Sequence, residues 1–391
     1  MGNIQGDFFS AKFLSTSNSI PVTDTNEKFF GLYNVANTCY INSVLQALYY
    51  CIPFRDKVLE YQPNPDCSEN VLTALRDLFN QIHNHKNRQG YINPKKFVAQ
   101  LKREYPVFDN YNQQDAQEML NFLLNRISEI LRAELSEDSD DSSSGSHKDP
   151  APLTWVQEIF QGTLTNETKC LTCETVKSKD EDFIDISVDI EQNTSITACL
   201  NDFSSSETLT GTCKLNCEEC GGKTEGTKRL RVKSYPSTLA LHLKRFKFDE
   251  LLLRHTKLGY RIVFPKELRL TTKEEEAGGE GQIYELFSVV VHCGPSPNQG
   301  HYVTVAKTLM GFWLVYDDDR ITAIDPNTSF ETYFGRSSDH QKTNDQCGYL
   351  LFYQHKVGGF VGSCQERDKS KEKSKLPQGR TNSFDQPKVS T

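Results

Sequence analysis

A cysteine at the predicted start of a helix is the first residue that could carry chemistry. Cys39 directly precedes a stripe of apolar residues at helical spacing that begins at Ile41. The helix dipole and the free N–H groups of a first turn lower the pKa of a thiol and favour its nucleophilic thiolate. The same groups can bind an oxyanion, and the amide of Asn34 could add another donor. The alternatives are a cysteine that packs as a small apolar residue and an asparagine that only forms a turn.

A predicted β-hairpin carries a histidine and an aspartate that could complete such a site. A hairpin centred at Leu309 places His301 directly opposite Asp317, with Cβ atoms roughly 5 Å apart. A carboxylate in that position orients an imidazole as a general base, and a slip of one residue would substitute Asp318. Without a nucleophile elsewhere, the pair would be a solvated histidine beside an acidic turn.

Two Cys-x-x-Cys pairs predict a metal site. Cys170 and Cys173 are separated by 43 residues from Cys217 and Cys220. Four thiolates close a tetrahedral Zn²⁺ site, so we expect this zinc to be structural and not catalytic. The separation is longer than in an ordinary zinc ribbon, so strands must run out and back between the pairs. Redox-active or incidental pairs are the alternative, and nearby Cys213 could replace one ligand.

The composition restricts the class of protein. The chain has 391 residues, 12 cysteines and a formal net charge of −8. Because binding to a nucleic-acid backbone needs a basic face, we expect no nucleic-acid partner. No apolar run approaches the roughly 18 residues that span a bilayer, so we expect no transmembrane segment. The N-terminus lacks the pattern of a secretory signal, which favours a cytoplasmic and also nuclear protein with reduced thiols.

The pattern of apolar residues divides the chain into a helical part and a β-rich part. Helical spacing predicts segments at about 41–50, 71–85, 94–104 and 116–135, and the acidic, Ser-rich stretch 136–149 is predicted to be a solvated insert. Residues 1–28 are predicted to be a mobile leader, without myristoylation at Gly2 because position 6 is Gly6. Residues 357–391 are predicted to be a disordered tail. The predicted strands are Phe183–Ile190, Thr238–Phe246, Tyr284–His292, His301–Lys307 and Phe312–Tyr316. The stretch Leu239–Asp249 is predicted to be a core strand with a basic edge.

An ordered set of segments resembles the ubiquitin-specific proteases. The segments are GLYNVANTCYINSVLQAL at 31–48, QQDAQE at 113–118, the two Cys pairs, LALHLKRF at 239–246, GHYVTV at 300–305 and WLVYDDD at 313–319. The resemblance covers 29–356, and segments 178–196 and 260–270 are most similar to two closely related short members. Ala36 is a departure, since this position of the family's Cys box is commonly Gly.

The resemblance implies a fold and a set of site residues. The fold is α+β and papain-like, in one catalytic domain over 29–356. Its helical thumb covers about 29–155, its β-rich palm and fingers about 156–356, and the zinc-bearing fingers about 160–232. The implied nucleophile is Cys39, with His301 as base, Asp317 as orienting acid and Asn34 in the oxyanion hole. The zinc ligands would be the four paired cysteines. The residues implied to line a groove for the ubiquitin tail are Gln113, Asp115, Glu118, His292 and Tyr302, and loops 248–260 and 294–300 would gate it.

The implied function is that of a deubiquitinating cysteine isopeptidase. It would hydrolyse the bond between the C-terminal glycine of ubiquitin and lysines of substrates or of other ubiquitins. The implied partners are ubiquitin, ubiquitinated proteins and WD40-repeat activators. One alternative is a catalytically weak ubiquitin-binding scaffold, which the intact Cys39, His301 and Asp317 argue against. A zinc-ribbon nucleic-acid binder and another thiol enzyme, such as a transglutaminase, are the others.

Overall fold

The computed structural model describes most of the chain up to Lys356. The described residues are 16–17, 26–64, 68–109, 113–137, 152–251, 253–275, 279, 281–297, 299–324, 330–335 and 346–356. The predicted tail, the insert from 138 to 149 and most of the leader lie outside these ranges. The chain up to Lys356 forms one compact unit. Within the described ranges, no helix combines the length and apolar character needed to cross a membrane.

Helices dominate the first part of the chain, as the 3.6-residue spacing predicts. All residues of the helix that begins at Cys39 are buried, so this helix is covered on every side. The third helix begins where the side chain of Asn70 accepts a hydrogen bond from the backbone N–H of Thr73. The helices of the described residues are α1 (Cys39–Tyr50), α2 (Ile52–Glu60), α3 (Val71–His83), α4 (Lys95–Glu104), α5 (Ala116–Glu137), α6 (Trp155–Phe160) and α7 (Ile196–Phe203).

Strands dominate the second part. The described strands are β1 (Thr16–Ser17), β2 (Phe29–Leu32), β3 (Gln89–Ile92), β4 (Gly162–Cys170), β5 (Val176–Phe183), β6 (Asp185–Val188), β7 (Thr194–Ser195), β8 (Ser206–Leu209), β9 (Leu215–Cys217), β10 (Gly222–Thr224), β11 (Gly226–Ser234), β12 (Thr238–Leu243), β13 (Phe246–Asp249), β14 (Arg254–Lys257), β15 (Ile262–Val263), β16 (Glu267–Leu270), β17 (Gln282–Ser296), β18 (Gln299–Lys307), β19 (Trp313–Asp317), β20 (Arg320–Ile324) and β21 (Gln346–His355). Thr16 and Ser17, which lie within the predicted leader, pair with β20.

A nine-stranded sheet separates two apolar clusters. Its strand order is β1-β20-β19-β18-β17-β21-β12-β6, with β16 beside β17. Side chains of a strand alternate between the two faces, so Tyr302 and Ala306 of β18 pack with the helices while Val303 and Val305 pack in the opposite cluster. Thr304 also faces the helices, where its hydroxyl donates to the backbone carbonyl of Ser43 in α1. Helix α1, which begins at Cys39, is therefore fixed on the strand that carries His301.

A smaller antiparallel sheet projects the two cysteine pairs. Its strand order is β5-β4-β11-β8. The short hairpin β9–β10 forms a separate two-stranded sheet. Cys170 ends β4, where it pairs with Gly226, and Cys217 ends β9, where it pairs with Gly222. The strands that the sequence required between the cysteine pairs are therefore present. They bring both pairs to one place.

Candidate active site

Cys39 lies at the first position of α1, one residue after the cap Thr38. The helix begins here because the backbone N–H of Asn42 bonds to the carbonyl of Thr38. The N–H groups of this first turn have no partner inside a helix and are available to an anion. The side-chain N–H of Gln113 approaches the Cys39 sulfur at 3.7 Å. Only 4% of Cys39 is exposed, so this residue is almost completely buried.

The turn before Cys39 adopts left-handed backbone angles at two non-glycine residues. The φ angles are +60° at Ala36 and +62° at Asn37. Such angles cost about 1 kcal/mol or more for a residue with a Cβ, so surrounding contacts must hold the turn. The side-chain carbonyl of Asn34 accepts from the backbone N–H of Thr38 at 3.0 Å. The Thr38 hydroxyl in turn accepts from the N–H of Val35 at 2.9 Å.

The hairpin that carries His301 has a different register from the predicted one. Thr304 pairs with Tyr316, which centres the hairpin at Met310 and not at Leu309. The turn is longer than predicted because the backbone N–H of Thr308 bonds to the carbonyl of Phe312. A change of this kind conserves the face of each side chain, since strands alternate with a period of two. Asp317 and His301 are consequently diagonal neighbours, which long side chains still bridge.

His301 and Asp317 form a short hydrogen bond. The ring Nε2 of His301 lies 2.6 Å from Oδ1 of Asp317. An ionised carboxylate only accepts, so Nε2 donates and Nδ1 is the ring nitrogen available to the thiol. Burial lowers the pKa of His301, but the bonds to Asp317 and to the Cys39 sulfur outweigh it and raise that pKa to about 11. The imidazolium is thus the favoured form beside this acid and this sulfur.

Asp318 holds the turn before Cys39 by a second set of bonds. Its Oδ2 accepts from the side-chain amide of Asn34, and its Oδ1 accepts from that of Asn42, both at 2.8 Å. Its own carbonyl accepts from the backbone N–H of Leu32. Burial raises the pKa of Asp318, against the opposing effects of His301 and of the two amides. Asp318 Oδ2 lies 3.9 Å from His301 Nε2, farther than Asp317.

Sequence patterns missed Asn42, although it is one helical turn beyond Cys39. Its side-chain N–H also bonds to the carbonyl of Leu32 at 3.0 Å, so it joins the turn, the helix and the hairpin. An amide on a fully buried helix face was the available signal, because buried amides need partners. Asn34 is bonded within the turn before Cys39, and one N–H of its amide donates to Asp318. Its role at an oxyanion stays a prediction.

Two of the predicted groove residues connect the helices with the sheet. The Gln113 side-chain carbonyl accepts from the backbone N–H of Gly300 at 3.1 Å, while its amide faces the Cys39 sulfur. Both carboxylate oxygens of Asp115 lie within 2.7 Å of the Tyr349 hydroxyl, which donates to them. Glu118 is half-buried in the first turn of α5. These acids give the region beside Cys39 a negative charge.

The other two predicted groove residues have almost no exposed surface. His292 is 0% and Tyr302 1% exposed, and they pair across β17 and β18 with their rings 4.9 Å apart. Burial holds the pKa of His292 well below its usual range. A Cβ placed on Gly300 would lie only 2.3 Å from the His292 Nε2, so only the small residue fits above the ring. His292 thus lies beneath Gly300, and most of the described part of the predicted loop 294–300 is extended strand, with Ser296 of β17 paired with Gln299 of β18.

The four paired cysteines form one cluster in the fingers. Their sulfurs all lie within 4.8 Å of one another, with Cys170 3.9 Å from Cys220 and Cys173 3.5 Å from Cys217. Tetrahedral zinc with Zn–S bonds of about 2.3 Å needs sulfur separations of roughly 3.8 Å. The backbone N–H of Thr172 also donates to the Cys170 sulfur, as hydrogen-bond donors around metal-bound thiolates do. The residues present fit Zn²⁺, and Cys213 is not part of the cluster.

The family follows from a direct comparison with known proteins. The model of the family described as ubiquitin carboxyl-terminal hydrolase matches residues 30–353. The chain belongs to the ubiquitin carboxyl-terminal hydrolase family. It is a deubiquitinase of the cysteine type, and the predicted resemblance to the ubiquitin-specific proteases is confirmed.

Two relatives cover nearly the whole chain. It is 54% identical to ubiquitin carboxyl-terminal hydrolase 12 of Salmo salar over 338 residues, which are 84% of this chain and 90% of the relative. It is 45% identical to ubiquitin carboxyl-terminal hydrolase 46 of Caenorhabditis elegans, covering 88% of this chain and 92% of that relative. These are the two short members that segments 178–196 and 260–270 had indicated.

Solved structures confirm the fold class. The SAGA DUB module containing Ubp8, bound to monoubiquitin, matches with a TM-score of 0.67 and 24% identity over 87% of this chain and 72% of that chain. The same module bound to ubiquitin aldehyde matches equally well. The predicted α+β fold of thumb, palm and fingers is therefore that of this hydrolase family.

Proposed function

We propose that this hydrolase cleaves the bond between the C-terminal glycine of ubiquitin and a lysine of a substrate or of another ubiquitin. The observation that carries the proposal is the constellation of Cys39 at a helix start, His301 beside it and Asp317 bonded to His301 at 2.6 Å. Nucleophile, base and orienting acid are thus arranged as thiol-dependent acyl transfer requires.

The proposed reaction begins with a thiolate–imidazolium pair of Cys39 and His301. The thiolate attacks the carbonyl carbon of the terminal glycine, and the oxyanion is stabilised by first-turn N–H groups with Asn34 and Gln113 as side-chain donors. The C–N bond then breaks as the His301 imidazolium protonates the leaving lysine amine. Water, deprotonated by His301, attacks the thioester, releases the glycine carboxylate and regenerates the Cys39 thiol.

The proposed binding groove for the ubiquitin tail runs between α5 and the ends of β17 and β18. Asp115 and Glu118 supply negative charge on the thumb side, which suits the basic tail of ubiquitin. Because His292 and Tyr302 are buried next to Gly300, we propose that the end of the β17–β18 hairpin moves when the tail reaches Cys39. The two residues are therefore proposed as the floor of the groove.

A ubiquitin-based electrophile and a ubiquitin-amide reporter together test this function. We expect the electrophile to label Cys39 and the full chain to release the reporter amine. A chain that binds ubiquitin but neither reacts with the electrophile nor releases the amine would be the ubiquitin-binding scaffold. Labelling at another cysteine would refute the assignment of Cys39.

A structural Zn²⁺ in the fingers is part of the proposal. Cys170, Cys173, Cys217 and Cys220 would hold it, and four thiolates leave no position for a substrate. Bound zinc would lock the ends of β4, β9 and β10 together and thus set the position of the fingers. We expect one zinc per chain by elemental analysis, and a folded protein without zinc would contradict this part.

Activation by WD40-repeat proteins is proposed from the resemblance to the short members of the family. Exposed apolar side chains on the fingers, Leu171 and Val176, offer a contact surface that a partner could cover. The test is reporter cleavage with and without candidate WD40 proteins. Equal rates would remove this part of the proposal.

A cytoplasmic and nuclear location is proposed as well. It is supported by the cysteines of the described residues, all of which are free. Microscopy of the tagged full chain tests it, and secretion would contradict it.

A further inference from the structure

Arg245 is a fully buried arginine at the root of a hairpin. It lies between β12 and β13, in the stretch for which the sequence predicted a basic edge, and 0% of it is exposed. The prediction was wrong for this residue, because its guanidinium points into the protein. A buried charge is costly unless hydrogen bonds satisfy it, so its partners indicate what it does.

The partners of the Arg245 guanidinium are backbone carbonyls. Its Nε donates to the carbonyl of Gly348 in β21 at 2.6 Å. Its Nη1 donates to the carbonyls of Leu258 and Tyr260 at 3.0 and 2.9 Å. The carbonyl of Arg245 itself accepts from the N–H of Leu258 at 2.7 Å. The chain thus enters the hairpin β13–β14 at Arg245 and leaves it through residues bonded to Arg245.

The planar fork of arginine matters for this arrangement. Three carbonyls from two separate segments are bound in fixed directions, which the flexible ammonium of a lysine does not reproduce. The remaining nitrogen, Nη2, is buried and has no partner among the described residues. The guanidinium is therefore held by backbone carbonyls and not by an opposing carboxylate. These bonds fix the position of the hairpin.

The hairpin that Arg245 holds contacts the floor of the proposed groove. The ring centroid of its first residue, Phe246, lies 5.2 Å from that of His292 and 5.1 Å from that of Tyr349. Its last residue, Lys257, pairs with Phe246 and donates from Nζ to the carbonyls of His292 and Gly294 at 3.0 and 2.8 Å. The end of β17 is thus tied to the hairpin from both of its strands.

The packing at this place leaves little room for displacement. Gly300 lies so close to the His292 ring that no Cβ fits, and its N–H bonds to Gln113 beside Cys39. Both ring nitrogens of His292 lack a hydrogen-bond partner within the described part of the chain, so packing alone holds the ring. A shift of the hairpin would therefore be transmitted to the floor of the groove.

We propose that Arg245 is a positioning residue of the reaction. It fixes the hairpin β13–β14, so that Phe246 and Lys257 hold His292 in the position that binding of the ubiquitin tail requires. The inference rests on the proposed function of the groove. It goes beyond gating by loops, since it assigns the position of the gate to one buried side chain. Arg245 touches neither Cys39 nor His301, so its effect should fall on substrate binding.

The test compares Arg245→Met, Arg245→Lys and Lys244→Met in the full chain. Lys244 is the matched control, since it is the adjacent basic residue but is exposed and pairs with Asp189. We expect Arg245→Met to raise the KM for a ubiquitin-amide reporter about tenfold, with kcat changed less than about threefold, because a misplaced wall weakens binding more than chemistry. Arg245→Lys should be intermediate and Lys244→Met unchanged.

Hydrogen–deuterium exchange separates positioning from general loss of structure. In Arg245→Met, exchange should increase in residues 246–257 while α1 and β18 stay protected. A loosened hairpin with an unchanged KM would overturn the proposal. So would a fall in kcat as large as the rise in KM, together with increased exchange throughout the chain. If both changes at 245 prevent folding, Lys257→Met breaks the next link with the guanidinium intact, and an unchanged KM there overturns it too. An inactive wild type would instead refute the proposed function.

Discussion

The candidate active site around Cys39 and the fingers both contain cysteine, in surroundings that favour different chemistry. In the candidate active site, one sulfur lies at the start of α1 beside an imidazole and an amide N–H. In the fingers, four sulfurs lie within 4.8 Å of one another with no histidine in the cluster. A lone thiolate with a base and an accessible side is a nucleophile, whereas four thiolates around one point saturate a metal.

The two regions also differ in how their turns are held. The turn before Cys39 places Ala36 in the left-handed region, where a Cβ is unfavourable. The turn after Cys220 has Gly221 at φ +67°, which glycine adopts at no steric cost. The turn before Cys39 depends on the amides and carboxylate around it, and this finger turn depends on glycine. The other finger turn, after Cys173, has Glu174 at φ +60°, so left-handed non-glycine residues occur in both regions.

The largest effect that the comparison predicts is loss of the lone thiol. Cys39→Ala should lower cleavage of a ubiquitin-amide reporter about 10⁴-fold or more, because no other group can form the thioester. Cys213→Ser, which changes an exposed finger cysteine outside the cluster, is the control and should leave the rate unchanged. Substantial activity in Cys39→Ala would contradict the assignment of Cys39 as the nucleophile, and with it the proposed difference between the two regions.

Removal of one finger cysteine should affect stability before chemistry. Cys217→Ser should lower Tm by at least about 5 °C, since structural zinc contributes its binding free energy to folding. The same change should reduce bound zinc, measured by elemental analysis, while the folded fraction retains its kcat. Cys213→Ser again serves as the control. A Tm unaffected by both Cys217→Ser and chelation would contradict a structural metal.

Substitution of Asp317 and of Asp318 should change the pH–rate profile and the Tm to different extents. We expect about a 10²-fold loss of kcat in both Asp317→Ala and Asp318→Ala. Asp317→Ala should move the alkaline limb of the pH–rate profile farther to lower pH than Asp318→Ala, because the hydrogen bond from Asp317 raises the pKa of His301 more than the charge of Asp318 does. Asp318→Ala should lower Tm more, since one N–H of each of two amides, those of Asn34 and Asn42, loses its bond to Asp318. A larger profile shift in Asp318→Ala would make Asp318 the orienting acid.

The raised pKa of His301 predicts a pH dependence of stability at the candidate active site. A histidine whose pKa is higher in the folded state stabilises fully below its unfolded value, roughly 6.5, and loses this contribution as pH rises towards about 11. The Tm difference between wild type and His301→Gln should therefore narrow from pH 6 to pH 10. Thermal unfolding at several pH values measures it, and a constant difference would contradict the shift.

The smallest effect concerns the strained turn. Ala36→Gly should remove the clash of a left-handed Cβ, worth about 1–2 kcal/mol, while glycine adds about 0.5–1 kcal/mol of unfolded-state entropy. The net result should be a Tm higher by about 1–2 °C. Ala133→Gly, at an exposed position inside α5, is the control and should be destabilising. A lower Tm in Ala36→Gly would show that the alanine methyl contributes packing.

The sequence predicted helix and strand bounds well where a regular spacing of apolar residues extends over many residues. The predicted helix 94–104 agrees within one residue with α4, because burial of one helix face imposes the 3.6-residue spacing. The predicted strand 183–190 was instead divided into the end of β5 and all of β6, at a place where the chain passes between two sheets. Such a division depends on long-range pairing, which no short pattern of residues encodes.

The site was predictable in its residue types but not in its bonds. The spacing brought Cys39, His301 and Asp317 forward as candidates, and the structure places them together. The hairpin register, set by a hydrogen bond across its turn, could not be read from apolar alternation. Nor could the burial of Arg245, because a basic residue at a strand end usually reaches solvent.

By itself, the sequence determined the chemical inventory: a helix-starting thiol, two cysteine pairs and the order of motifs that indicated the family. Helix spacing and ligand types are local properties, and local patterns record them. Only the tertiary structure decided that Asp317 contacts His301 while Asp318 holds Asn34 and Asn42. Asp317 ends β19, whereas Asp318 lies in the following turn with φ +52°, so the contacts of each depend on what the rest of the chain brings there.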